Sequence, residues 1–225
     1  MKRWQVVVLA GSLALAMVAV LMGIRKGRPE REPAGIPPPP PDSPRDDLMA
    51  RPTGAGSYVP YRPGPPPTLP LMFEYPENWK VGAEARPAGP YQQVIILGPR
   101  NALDTYSAGL VVRELRTRQD GGSYADAGEL VERRRRQYQA AAEFALLTDR
   151  PLSLGGAPGH ELEFEYTTRL PHPHSVPRLT TVKTRVVVME HAGKLYELSY
   201  SADRQDYERH QPVFAHLLDT VRFLP

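Results

Sequence analysis

Cysteine is absent from the 225 residues. That excludes disulfides, thiolate nucleophiles, Cys-ligated zinc, iron–sulfur clusters and lipid attachment through an acylated cysteine. Charge of one sign is also lacking in any strong excess: 28 Lys and Arg stand against 25 Asp and Glu, for a formal net charge of +3. Basic residues are spread along the chain among acidic ones, which argues against a nucleic-acid partner. Catalytic motifs are missing too. There is no G-x-S-x-G elbow, no H-E-x-x-H and no phosphate-binding Gly loop; GGAPG at 155–159 has the wrong spacing and opens a strand. The expectation is a protein that is not an enzyme and carries no cofactor.

Long apolar runs occur once. From Trp4 to Ile24 no residue is charged, a length close to the ~20 residues that cross a bilayer. A cleaved signal has a shorter apolar core and ends at a small-x-small site, whereas here Met17 occupies the position that Ala19 would need small. Residues 1–28 therefore read as an uncleaved single-pass anchor, with a transmembrane helix over about 4–24. Arg25, Lys26, Arg28 and Arg31 follow it and only Lys2 and Arg3 precede it, so the count of basic residues leans towards a cytoplasmic C-terminus.

Proline, by contrast, is abundant, and most of the 26 fall in the first third. Residues 29–70 pair many prolines with few large apolar groups, so they read as a disordered, PPII-rich stalk. At ~3.1 Å per residue such a spacer reaches about 100 Å. The stretch IPPPPPDSP at 36–44 also fits a ligand for an aromatic-grooved proline-binding domain.

From Leu71 the pattern becomes globular. Short strands are expected at Phe73–Tyr75, Tyr91–Gly98 and Ser107–Arg116, then a helix within 120–144, with Ser123 and Asp126 at capping-box spacing and Tyr124, Ala127, Val131, Tyr138 and Ala142 on one face. Strands follow at 144–154, at HELEFEYTTRL (160–170), where Leu162, Phe164 and Tyr166 alternate with Glu161, Glu163 and Glu165, and in a pair turned by Ala192–Gly193. The alternation places the glutamates on a solvent-facing side. A last helix, capped by Asp203 and broken or restarted at Pro212, carries Phe214, Leu217, Leu218 and Val221. The class is α+β, with helices packed on a mainly antiparallel sheet.

FEYPENWKV at 73–81, GGAPGHELEFEY at 155–166, GKLYELSYSA at 193–202 and DYERHQPVFAHLLDTVRF at 206–223 resemble, in order and spacing, the PsbP-like domain, a family named for an extrinsic subunit of the photosystem II oxygen-evolving complex. The resemblance covers 71–225 and implies an α/β sandwich, non-catalytic, that binds or helps assemble a membrane or cell-envelope complex through an unknown protein partner. A small-ligand or metal-binding module of the same fold is the alternative. Family members usually work outside the cytoplasm, so the resemblance implies an inner-membrane protein with its globular domain extracytoplasmic, opposite to the count of basic residues.

Three candidate sites can be read from the residues. His172 and His174 form the one dense imidazole pair, suited to weak Zn²⁺ or Mn²⁺ binding, although a proline-stiffened loop explains PHPHS equally and a tight site needs further ligands. In the run Arg133–Arg136, helical geometry turns Arg133 and Arg136 outward, where they offer an anionic-lipid site. Arg134 and Arg135 flank the buried stripe and are expected to snorkel. The i,i+4 pairs Glu129–Arg133 and Glu132–Arg136 favour instead a solvated, self-paired face. Trp79 is a ligand platform if exposed and a cap on the core if buried, and the burial reading is the expectation.

Overall fold

The computed structural model describes residues 56–63, 69–84, 91–101, 105–172 and 175–224. The expected anchor at 4–24 and the stalk up to residue 55 lie outside them, and among the described residues no helix is long and apolar enough to cross a membrane. Ten strands and two helices form the fold: β1 Tyr58–Tyr61, β2 Leu71–Pro76, β3 Lys80–Glu84, β4 Tyr91–Leu97, β5 Ala108–Leu115, α1 Ala127–Gln139, β6 Ala142–Leu154, β7 Ala157–His172, β8 Ser175–His191, β9 Lys194–Asp203, α2 Tyr207–Thr220 and β10 Arg222–Phe223. Seven strands make one sheet in the order β3–β4–β5–β9–β8–β7–β6, and β1–β2–β10 make a small second sheet. Every pairing between these strands is antiparallel. A mainly antiparallel sheet with packed helices is therefore observed, as the sequence class requires.

Burial follows position in the sheet. β5 and β9 are central, and all eight residues of β5 are buried, so the alternation read after Leu110 does not mark a solvent-facing side there. The long hairpins turn where the sequence supplies left-handed residues. Gly155 and Gly156 have φ of 58° and 81°, and Ala192 and Gly193 have φ of 50° and 72°, the backbone of two-residue hairpin turns.

Helix α2 packs on β2, β5 and β9 and joins the large and small sheets in one core. Leu71, Phe73, Trp79, Leu110, Leu198, Tyr200, Tyr207, Phe214 and Leu217 all belong to it. Trp79 is 6% exposed, its amide donates to the Pro76 carbonyl at 2.9 Å and its indole meets the edge of His210. It is the core cap expected from the sequence. Helix α1 covers the opposite side of the large sheet, packing on β6, β7 and β8 through Leu130, Val131 and Tyr138.

Several local expectations are corrected. The folded region starts before Leu71: β1 pairs with β2 from Tyr58↔Pro76 to Tyr61↔Phe73, and Tyr61 and Leu69 are buried in the core. The cap of α1 is not Ser123 but Asp126, whose Oδ1 accepts from the Glu129 amide at 2.8 Å while Glu129 Oε2 accepts from the Ala125 amide at 2.7 Å. That is a reciprocal cap three residues later than read. α2 begins after Asp206, not at Asp203, and runs unbroken through Pro212. Pro212 lies in the second turn, where the helix forgoes the bond its amide would give to the Glu208 carbonyl and must make room for its ring.

Candidate binding pocket on the second sheet face

β9 carries the division between the two faces in alternate residues. Tyr196, Leu198, Tyr200 and Ala202 enter the core shared with α2. Leu195, Glu197, Ser199 and Ser201 point the other way. On that second face Leu195 joins Leu162, Phe164, Val186 and Val188 beneath α1. Next along the strand, Glu197 is 1% exposed and is held by Arg113 Nη1 at 2.9 Å and Arg134 Nε at 2.5 Å. Arg113 Nε also donates to Gln93 Oε1 and Arg134 Nη1 to Gln137 Oε1, each at 2.9 Å. Burial alone pushes the Glu197 carboxyl up; Arg134 and Arg113 outweigh it and hold the group below the usual carboxylate range. Nearby, the buried Tyr138 hydroxyl has no hydrogen-bond partner among the described residues, and burial pushes it up.

Past this ion cluster the face turns to small hydroxyls. Ser199, Ser201 and Thr184 are all buried, and Ser201 Oγ lies 2.9 Å from Thr184 Oγ1. To one side Ile95, Leu97 and Val111 form a separate apolar cluster under Tyr106. To the other run Tyr166, Thr168 and Leu170 of β7. Between them opens a cavity of about 50 Å³. Among the described residues that line it, Asp203 is the one charged side chain. The small side chain of Ser201 on a central strand helps create the space, because a large one there would fill it. Ser107, at the mouth, is engaged already, donating to the Pro99 carbonyl at 3.0 Å. The pocket is thus an apolar hollow with hydroxyls in its floor. It offers shape and burial more than charge.

The sites expected from the sequence lie elsewhere. Arg133 and Arg136 are exposed on α1 as helical geometry requires; Arg133 stacks over the Tyr124 ring at 5.6 Å. Their expected i,i+4 partners are taken: Glu129 bonds Arg118 at 2.7 Å, and Glu132 bonds Arg135. Arg134 does not snorkel. It is buried because Glu197 lies beneath it. His172 pairs through its backbone with Ser175 at the β7–β8 turn, and His174 lies outside the described residues. No group of three or more His, Asp or Glu able to hold a metal occurs among the described residues.

The glutamates of β7 are corrected as well. Glu161 is 3% exposed, bonded to Arg150 at 2.8 Å and to Arg185. Glu163 accepts from the Tyr207 hydroxyl at 2.9 Å and pairs with Lys183 at 3.1 Å. Burial raises the Glu163 carboxyl, and these bonds more than reverse that, leaving it lowered. They face the α2 side of the sheet and are neutralised by cations there, so their period reports ion pairing more than solvent.

No family model and no curated protein matches the sequence. Among solved structures, the chain is similar to cyanobacterial PsbP from Synechocystis, at 18% identity over 76% of this chain and 95% of that one, with a TM-score of 0.43. It is similar to LpqN, involved in cell envelope biogenesis of Mycobacterium tuberculosis, at 14% identity over 76% and 88%, TM-score 0.46. A further similar structure is the Ran-binding protein Mog1p of Saccharomyces cerevisiae, at 9% identity over 75% and 96%, TM-score 0.48. The PsbP-like resemblance read from the sequence thus has a solved PsbP among its structural neighbours.

Proposed function

We propose that this protein is a non-catalytic binding domain, tethered to the inner membrane by residues 1–28 and acting as an accessory or assembly factor for an envelope complex. The observation that carries this reading is the pocket floored by Ser201 and walled by Tyr106 and Tyr166, a hollow left among the described residues of this face. The buried charges further along the strand are occupied by one another in the Glu197 cluster, and the pocket's mostly apolar wall supports shape-based recognition over acid–base chemistry. The PsbP-like motifs from Phe73 to Phe223 imply the same class of role, and they favour an extracytoplasmic domain.

Affinity purification of the full chain from detergent-solubilised membranes, followed by crosslinking, tests the reading. A stoichiometric membrane or envelope protein crosslinked around the pocket is the expected result. A chain that purifies alone with a tightly bound small molecule would favour the ligand-binding alternative. Protection of the C-terminus from external protease in spheroplasts would overturn the proposed side of the membrane.

A further inference from the structure

β1 is an outer strand of the small sheet and pairs with β2. Its first residue is also held from α2: the Tyr58 ring lies on the His216 imidazole with centroids 3.8 Å apart. His216 Nε2 in turn sits 2.8 Å from Glu74 Oε2 of β2. Thr220 Oγ1 accepts from the Glu74 amide at 3.1 Å and donates to the His216 carbonyl at 2.9 Å, so backbone contacts fix the two partners as well. One imidazole thus joins β1, β2 and α2.

Histidine is the side chain that changes charge between about pH 5 and 8. Protonated, the ring between Tyr58 and Glu74 gains an ion pair with the carboxylate and a cation over the phenol face. Neutral, it keeps a hydrogen bond and a stack only. The other ionisable groups around it come from every element at this junction. Burial raises the Tyr58 phenol, which keeps it neutral in that range. Glu77, after β2, bonds Ser57. Asp219 lies three residues further along α2, and Arg222 of β10 directs Nη1 to the Asp219 and Val221 carbonyls at 3.0 and 2.7 Å. Carboxylates and guanidinium groups keep one charge across that range, so the variable charge belongs to His216.

From this we infer that His216 is a pH-sensitive clasp on β1: mild acid tightens the strand on β2 and α2, and a rise in pH loosens it. The contribution is present while His216 is protonated and Glu74 ionised, and it is lost as the imidazole gives up its proton. Side-chain exposures of 34% for His216 and 42% for Glu74 keep the effect modest, because water screens the pair. The inference is independent of the pocket and of any partner. It makes local pH a control on how firmly the chain before Ser57 is tied to the domain.

Hydrogen exchange on the full chain in detergent micelles tests it. Protection of the β1 amides is followed from pH 5.5 to 8.5, corrected for the intrinsic pH dependence of exchange and normalised to β9. Protection should fall by about two- to fivefold over that range, the span expected for a partly exposed ion pair. His216→Gln, which keeps a hydrogen-bond donor and cannot titrate there, should flatten the profile. Glu74→Gln, which leaves the histidine and removes its counter-charge, should flatten most of it as well. A flat wild-type profile, or an unchanged slope in both variants, would overturn the inference. A slope that survives in His216→Gln alone would assign the titration to another group and overturn it equally.

Discussion

The two faces of β9 solve the same packing problem differently. On the α2 face, Tyr196, Leu198, Tyr200 and Ala202 meet helix and second sheet through apolar and aromatic surface. On the α1 face, the same strand presents Leu195, then an ion cluster at Glu197, then Ser199 and Ser201 beside a pocket. The first face gains stability from close-packed area, which tolerates no vacancy. The second spends its middle on buried charges and its end on open space, neither of which a stability argument requires. Where a fold departs from the apolar solution on a central strand, a role beyond folding is the economical explanation.

Substitutions on either face can break the contrast. The largest effect belongs to the α2 face: Trp79→Ala should lower stability by about 3 to 5 kcal/mol in urea melts, as large-to-small core changes do, and an unchanged midpoint would return Trp79 to the role of an exposed platform. On the α1 face, Glu197→Gln should cost about 3 kcal/mol by leaving Arg113 and Arg134 buried without a counter-charge. Replacing Arg113, Arg134 and Glu197 together by Met, Met and Leu should recover most of that loss. If the triple variant is as weak as the single one, the cluster contributes net stability and the contrast between faces fails.

Acid sharpens it further. The Glu197 carboxyl is lowered in the folded protein from its ordinary value of 4.5, so its contribution is complete above about pH 4.5 and is lost as pH falls through the folded value. Glu163 is shifted the same way. Wild-type stability should therefore fall with acid below that point, and Glu197→Gln should flatten the decline in pH-dependent urea melts. Smaller is the N-cap: Asp126→Ala should cost about 1 kcal/mol, whereas Ser123→Ala should leave the midpoint unmoved, since Asp126 makes the capping bond. Smallest of all, Arg133→Ala should not change the urea midpoint, because Arg133 is exposed on α1; liposome sedimentation with Arg133→Ala and Arg136→Ala tests their expected affinity for anionic lipid.

Much of the fold was legible because local pattern and tertiary position agreed. Alternation in HELEFEY marked β7, alternation after Leu110 marked β5, and the Ala192–Gly193 turn fell where expected. Misreadings came where tertiary partners decide. Asp126 outcompetes Ser123 as cap, α2 carries Pro212 within its second turn, and Glu161 is buried by cations from neighbouring strands. Arg134 was misplaced for the same reason: its partner Glu197 is 63 residues away. The pocket left a faint trace in GKLYELSYSA, where serines interrupt a strand otherwise rich in large residues. What that trace could not show is that Tyr106, and Tyr166 with Leu170 on β7, from two distant stretches, would surround it.

The small sheet has a mechanical meaning. β2 lies between β1, where the described chain enters the fold, and β10, near its end. A pull transmitted along the residues before Ser57 is borne first by the four residue pairs that zip β1 to β2, with Tyr61 stacked on Phe73 as the last tooth. The seven-stranded sheet carries no load until those pairs part, so tension at the N-terminal side would be absorbed at this short seam while the pocket keeps its shape.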